Sequence, residues 1–161
     1  MASSEQEPTP ATEAELAFVE DFALTLERLG LVRMTGRVVG WLLVSDPPEQ
    51  TFGQIAEVLQ ASKGSISTSL KFLTTAGWVN KTSKPGVRGD FYTIRPGVMP
   101  DLVRQQSAQY GLFNEVTGKG LAMLEGAPAE RRARLEDMHE FFTWLSEEMP
   151  ALMDRWDADH R

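Results

Sequence analysis

The 161-residue sequence has no cysteine. This excludes a disulfide framework, a thiol nucleophile, a Cys-ligated zinc site and an iron–sulfur centre. It has two histidines, His139 and His160, too few for a His-rich metal site. No long apolar run is present: the longest nearly uncharged stretch, Val38 to Ser45, is far too short to span a bilayer. Met1 to Ala11 carry no apolar segment behind basic residues, which argues against a secretory leader. The expectation is a cytoplasmic protein with no membrane partner, no metal and no cofactor. Catalytic chemistry is also scarce. Lys63-Gly64-Ser65 lacks the glycine and lysine order of a phosphate loop. Glu136, Asp137, His139 and Glu140 fall on the solvent side of a helical stripe, where such residues are usually only solvated. The sequence is therefore not read as an enzyme.

Acidic residues outnumber basic ones, 23 to 16, and the net charge is −7. The distribution matters more than the total. Residues 1–60 carry −7 and residues 96–161 carry −5, whereas residues 61–95 carry +5. That segment holds Lys63, Lys71, Lys81, Lys84, Arg88 and Arg95 against a single acid, Asp90. A basic island in an acidic chain is a local electrostatic footprint for a polyanion.

The chain divides by pattern. Residues 1–12 are polar and proline-containing and read as a disordered tail. Residues 13–30 form a helix whose apolar positions Leu16, Val19, Phe22, Ala23, Leu26 and Leu29 step by three and four, with Thr12 as N-cap. Thr35 to Val44 reads as a second, more buried helix. Gly36 and Gly40 weaken it but let another helix come close. Thr51-x-x-Gln54 is a capping box opening a third helix. Ser62 caps a fourth, with Ile66, Leu70 and Leu73 inward and Gly77 as its stop. The β-prone runs 78–82 and 90–94 flank a Pro-Gly turn and form a hairpin. Helix, turn, helix and basic hairpin make a winged helix over residues 31–96. Residues 97–161 read as helices, at 98–126 (interrupted by Gly111, Gly118 and Gly120) and at about 129–157. The fold class is thus mainly α (α+β): a winged helix-turn-helix with N- and C-terminal dimerisation helices.

The fourth helix suits a DNA groove. At 100° per residue, Gly64, Thr68, Lys71 and Thr75 lie opposite its apolar stripe, with Ser65, Ser67 and Phe72 beside them. Small hydroxyls and a lysine make a slim, hydrogen-bonding, cationic face. No acid occurs from 61 to 77, whereas an ordinary solvated face would carry some. Ser62, Lys63, Gly64, Ser65, Ser67, Thr68, Lys71 and Thr75 are the expected DNA contacts of this helix, with Lys63 placed on phosphate and Gly64 where the helix start approaches it. Lys81, Lys84 and Arg88 are the expected hairpin contacts, with Arg88 reaching the backbone or minor groove. Asp90 is expected to orient Arg88 or Lys81.

The remaining stripes exceed what one small winged core can cover, so a homodimer on a palindrome is expected. Its candidate interface residues are Leu16, Val19, Phe22, Leu26, Phe141, Phe142, Leu145, Met149, Leu152 and Trp156. Tyr110, Phe113, Phe141, Phe142 and Trp144 offer rings for a cationic ligand, but rings at helical spacing are more often core. No ligand site is assigned.

Residues 30–50 (GLVRMTGRVVGWLLVSDPPEQ), 61–73 (ASKGSISTSLKFL) and Ala76-Gly77-Trp78-Val79 resemble the DNA-binding domain of GbsR-type regulators, a branch of the MarR-like winged-helix repressors. The resemblance implies a homodimeric transcription regulator on operator DNA, with the 62–71 helix in the groove and 84–89 as the wing. It also implies that a small-molecule effector, choline in some relatives, can be a partner. Where many MarR-like wings place Asp two residues before the arginine, this chain has Gly86. The rival reading is a winged-helix protein–protein adaptor without DNA binding, which has no reason to confine its basic excess to one helix and the wing.

Overall fold

A computed structural model describes residues 10–160 and shows two compact units that meet in sequence at Pro96/Gly97. Most of the expected 1–12 tail lies outside the described residues.

The first unit runs α1 (Glu13–Arg28), α2 (Arg33–Val44), β1 (Gln50–Thr51), α3 (Phe52–Val58), α4 (Lys63–Thr75), β2 (Val79–Ser83) and β3 (Asp90–Ile94). Caps set its helix starts. Thr12 and Thr51 each form a reciprocal box with the side chain three residues on, Glu15 and Gln54. The Ser62 hydroxyl accepts from the Ser65 amide at 3.2 Å. Helix α4 ends through Gly77, whose φ of 74° is costly for any residue with a Cβ. The Trp78 amide then closes back onto the Leu73 carbonyl at 2.9 Å.

Helices α1 and α2 pack at close range. A Cβ added at Gly36 would meet the Ala23 backbone, and one added at Gly40 would meet that of Val19. This is the close approach that the two glycines suggested. Helix α2 starts at Arg33, two residues before the expected start. The core gathers Val38, Val39 and Trp41 of α2 with Ile55, Leu59, Ile66, Leu70 and Leu73 of the helix-turn-helix. Gln50 is fully buried and satisfied: its amide donates to the Pro47 carbonyl and its oxygen accepts from the Trp41 indole. The sheet order is β1-β3-β2, antiparallel throughout, with Lys81 opposite Tyr92 and Ser83 opposite Asp90. The two-residue strand β1 was not expected.

The second unit is a pair of helices, α5 (Val98–Met123) and α6 (Ala129–Asp159). They run antiparallel. Arg104 bonds Asp157 near one end, Asn114 accepts from Thr143 in the middle, and Gly120 faces Leu135 at the other end. The expected interruptions at Gly111, Gly118 and Gly120 do not occur, and α5 is continuous. Gly118 lies against the His139 ring and Gly120 against the Leu135 side chain, so these two serve close contact. Helix α6 continues through Pro150.

Two expected interface residues need correction. Val19 (1 % exposed) and Leu26 (7 %) are already buried in the core of the first unit, so their side chains have no surface left for a partner. Phe22 packs half-buried against the same core. The outward apolar positions of α1 are Leu16, Phe18 and Leu24.

Candidate nucleic-acid interface

Helix α4 has two faces of different chemistry. Ile66, Ser69, Leu70 and Leu73 are buried. Ser69 was not among the expected DNA contacts. Its hydroxyl accepts from Thr35 at 3.3 Å and ties α4 to α2. Ser62, Lys63, Gly64, Ser65, Ser67, Thr68, Lys71 and Thr75 are all exposed, as is Phe72. The helix therefore presents hydroxyls, two ammonium groups and one ring, with no carboxylate among them. The Ser62 and Ser65 hydroxyls bond each other at 2.9 Å while Ser62 caps the helix, so this pair organises the helix start as well as facing outward.

The hairpin places Lys81, Lys84 and Arg88 on the surface, under different constraints. Lys81 Nζ lies 2.8 Å from Asp90 Oδ2, and Ser83 Oγ donates to Asp90 Oδ1 at 2.8 Å. The Lys81 hydrogen bond holds the Asp90 carboxyl below its ordinary range, with Ser83 helping, and the same bond raises the lysine. Of the two roles open to Asp90, its contact is with Lys81. Lys84 pairs with Glu49, just before β1, and its ammonium sits 4.3 Å above the Phe91 ring. Sequence could not reveal that pair, because loop 45–49 reaches the wing only through the fold. Arg88, Lys63 and Lys71 have no ion-pair partner among the described residues. Arg95, the last cation of the basic island, donates to the Gly77 carbonyl at 2.6 Å and closes the turn after α4.

A cleft of about 290 Å³ runs between α4 and the hairpin, lined by Ser67, Lys71, Thr75, Lys81 and Tyr92 among others. On the other flank of α4 lies an apolar hollow of about 700 Å³, bounded by Leu31, Val32, Met34, Thr68 and Phe72.

In the second unit the rings considered for a cationic ligand pack on one another. Phe113 stacks on Phe142 with centroids 4.6 Å apart, and Phe141 meets Phe142 edge-on at 5.5 Å. His139 Nδ1 bonds the Thr117 hydroxyl at 2.8 Å. Among the described residues no group of three or more His, Asp or Glu side chains is placed to hold a metal, and no helix is long and apolar enough to cross a membrane. Phe141, Leu152 and Trp156 are exposed, while Phe142, Leu145 and Met149 are half-buried.

Comparison with known proteins agrees with this geometry. Residues 97–159 match the model of the MmpR5-like MarR family transcriptional regulators, and residues 42–81 match that of the arsR family of bacterial regulatory proteins. The chain is 29 % identical over 141 residues to the HTH-type transcriptional regulator MmpR5 of Mycobacterium tuberculosis, covering 88 % of this chain and 86 % of that protein. A solved transcriptional regulator is 28 % identical with a TM-score of 0.71, covering 90 % of this chain and 99 % of the other. With a cationic helix-turn-helix face and a wing, the chain is similar over most of its length to MarR-family winged-helix transcriptional regulators.

Proposed function

We propose that the chain acts as a homodimer that sets two copies of α4 into successive major grooves of a palindromic operator, about 34 Å apart, and represses transcription there. The observation that carries this reading is the outward face of α4. Every position expected to read DNA is exposed, none is acidic, and Lys63 and Lys71 are unpaired among the described residues. Lys63, Lys71, Lys81, Lys84 and Arg88 serve the backbone, and the outward hydroxyls of α4 face base edges.

The dimer reading rests on the second unit. Leu112, Val116, Met123, Trp144 and Trp156 are all at least 47 % exposed. A two-helix pair that leaves so many large apolar side chains in water gains its stability from a partner. Residues 97–161 therefore serve dimerisation, and residues 13–30 contribute through Leu16 and its exposed neighbours. A small-molecule effector fits the apolar hollow beside Thr68 and Phe72, where an occupant would bear on the reading helix. Residues 30–50, 61–73 and 76–79 resemble the GbsR-type branch, whereas the match over 97–159 is to MmpR5-like MarR family regulators. The setting is the cytoplasm, where operator DNA lies.

Selection of bound duplexes from a random pool tests the reading, with Lys71→Ala as control. The expected result is a palindromic site whose affinity falls steeply with salt and is lost in the variant without loss of folding. Binding that ignores salt, or no enrichment of any duplex, would favour a protein–protein adaptor instead.

A further inference from the structure

The cleft between α4 and the hairpin contains a group that the fold itself does not use. Tyr92 is buried, with 9 % of the residue exposed. Its hydroxyl nonetheless has no hydrogen-bond partner among the described residues. The described side-chain atoms sealed from solvent without a partner are Ser45 Oγ and Arg132 Nε, and the Tyr92 oxygen is not among them. It therefore reaches the cleft that Tyr92 lines. A buried tyrosine normally satisfies its hydroxyl, so an open one facing a cleft is a donor held ready.

The surroundings select what that donor meets. Lys81 is the direct cross-strand partner of Tyr92, which puts both side chains on one face of the hairpin. Lys71 enters from α4 opposite them, with the Ser67 and Thr75 hydroxyls on the same wall. An ammonium has three donors, and Asp90 takes one from Lys81 while fixing its position. Two cations, a phenol and two hydroxyls, with Asp90 paired to Lys81 but not lining the cleft, suit a tetrahedral anion with several acceptor oxygens.

We propose that this cleft seats one phosphodiester group of the operator backbone in each half-site, clamped by Lys71, Lys81 and Tyr92. This inference rests on the reading of α4 as the groove helix and adds Tyr92, which sequence placed only in a β-prone run. The clamp fixes the depth and rotation of α4 in the groove without reading a base. Tyr92 is thus a positioning residue for DNA recognition. It contributes a neutral hydrogen bond, and Lys81 contributes the charge.

The experiment uses the full-length protein and a duplex taken from the selection, with single neutral methylphosphonate replacements walked along each strand. Tyr92→Phe keeps the ring and removes only the hydroxyl; its thermal midpoint should match the wild type. The variant should bind the plain duplex about tenfold more weakly, by the same factor on operator and scrambled DNA, with the salt slope unchanged. Lys81→Gln should lower that slope by about one. Wild type should lose affinity at one methylphosphonate position per half-site, and Tyr92→Phe should lose nothing further there. If Tyr92→Phe binds as wild type does, or if no backbone position couples to it, the clamp is wrong. If inorganic phosphate stabilises wild type but not the variant while every methylphosphonate is tolerated, the cleft serves a free phosphate and the proposal also falls. Failure of the wild type to bind any duplex would instead remove the proposed function itself.

Discussion

Replacing Gly36 by alanine tests how the reading helix is supported. The added Cβ would lie 2.8 Å from Ala23 Cα, 3.2 Å from its carbonyl oxygen and 3.3 Å from its Cβ. Carbon atoms prefer about 3.5–4.0 Å, so α1 must retreat by roughly 0.7 Å or more. The nearest obstacle is backbone and cannot rotate away. A displaced α1 loosens Val19 and Ala23, which are 1 % and 0 % exposed. Overpacking of this kind costs about 1–3 kcal/mol, while alanine returns about 1 kcal/mol of helix propensity. The net expectation is a loss of up to about 2 kcal/mol. Gly64→Ala is the counterpart. Nothing lies within 4 Å of its added Cβ, and the position is exposed in the first turn of α4. That variant should be as stable as wild type or slightly more so, yet bind DNA several-fold more weakly, because a methyl group now stands where the backbone approaches phosphate. Urea denaturation of both variants at one fixed chain concentration, followed by far-UV circular dichroism, reads the difference. A Gly36→Ala protein at least as stable as wild type would refute the close α1–α2 contact. Full DNA binding by Gly64→Ala would refute the approach of the helix start.

Glu49→Gln should free Lys84, raise affinity for the selected duplex a few-fold and steepen its salt dependence, with little change in stability because the pair is exposed; filter binding across a salt series measures both. Glu20 is held below its ordinary value of 4.5, first by its hydrogen bond to Arg33 and also by Arg37, which both lie on α2. A lowered folded value means that its contribution is complete above about pH 4.5 and is lost as pH falls through the lowered value. Glu20→Gln should therefore flatten the acid limb of stability, by no more than about 1 kcal/mol for so exposed a pair, in denaturation runs from pH 7 to about pH 3. Trp156→Ala should shift sedimentation toward monomer at low concentration; an unchanged mass would take Trp156 out of the interface.

Much of the architecture was written in local chemistry. Thr51-x-x-Gln54 and Ser62-x-x-Ser65 act within four residues, so their caps could be read directly. The spacing of Gly36 and Gly40 announced a close helix, although the partner, α1, came from the fold. The basic island followed from the charge distribution along the chain, and the outward face of α4 from periodicity. Features that depend on distant neighbours were hidden. Strand β1 is two residues long and exists because β3 lies beside it. The stripe of α1 could not show whether Val19 and Leu26 meet α2 or a second chain. Gly118 and Gly120 looked like breaks because their use lies across α6, at His139 and Leu135. The Lys84–Glu49 pair and the open Tyr92 hydroxyl need tertiary placement to be seen at all.

The clean division of α4 between buried and outward positions also bears on engineering. Ile66, Ser69, Leu70 and Leu73 are buried and anchor the helix, whereas Ser67, Thr68, Lys71 and Thr75 are exposed. The outward set could be randomised while the scaffold stays constant. The chain is thus a chassis for regulators retargeted to new promoters.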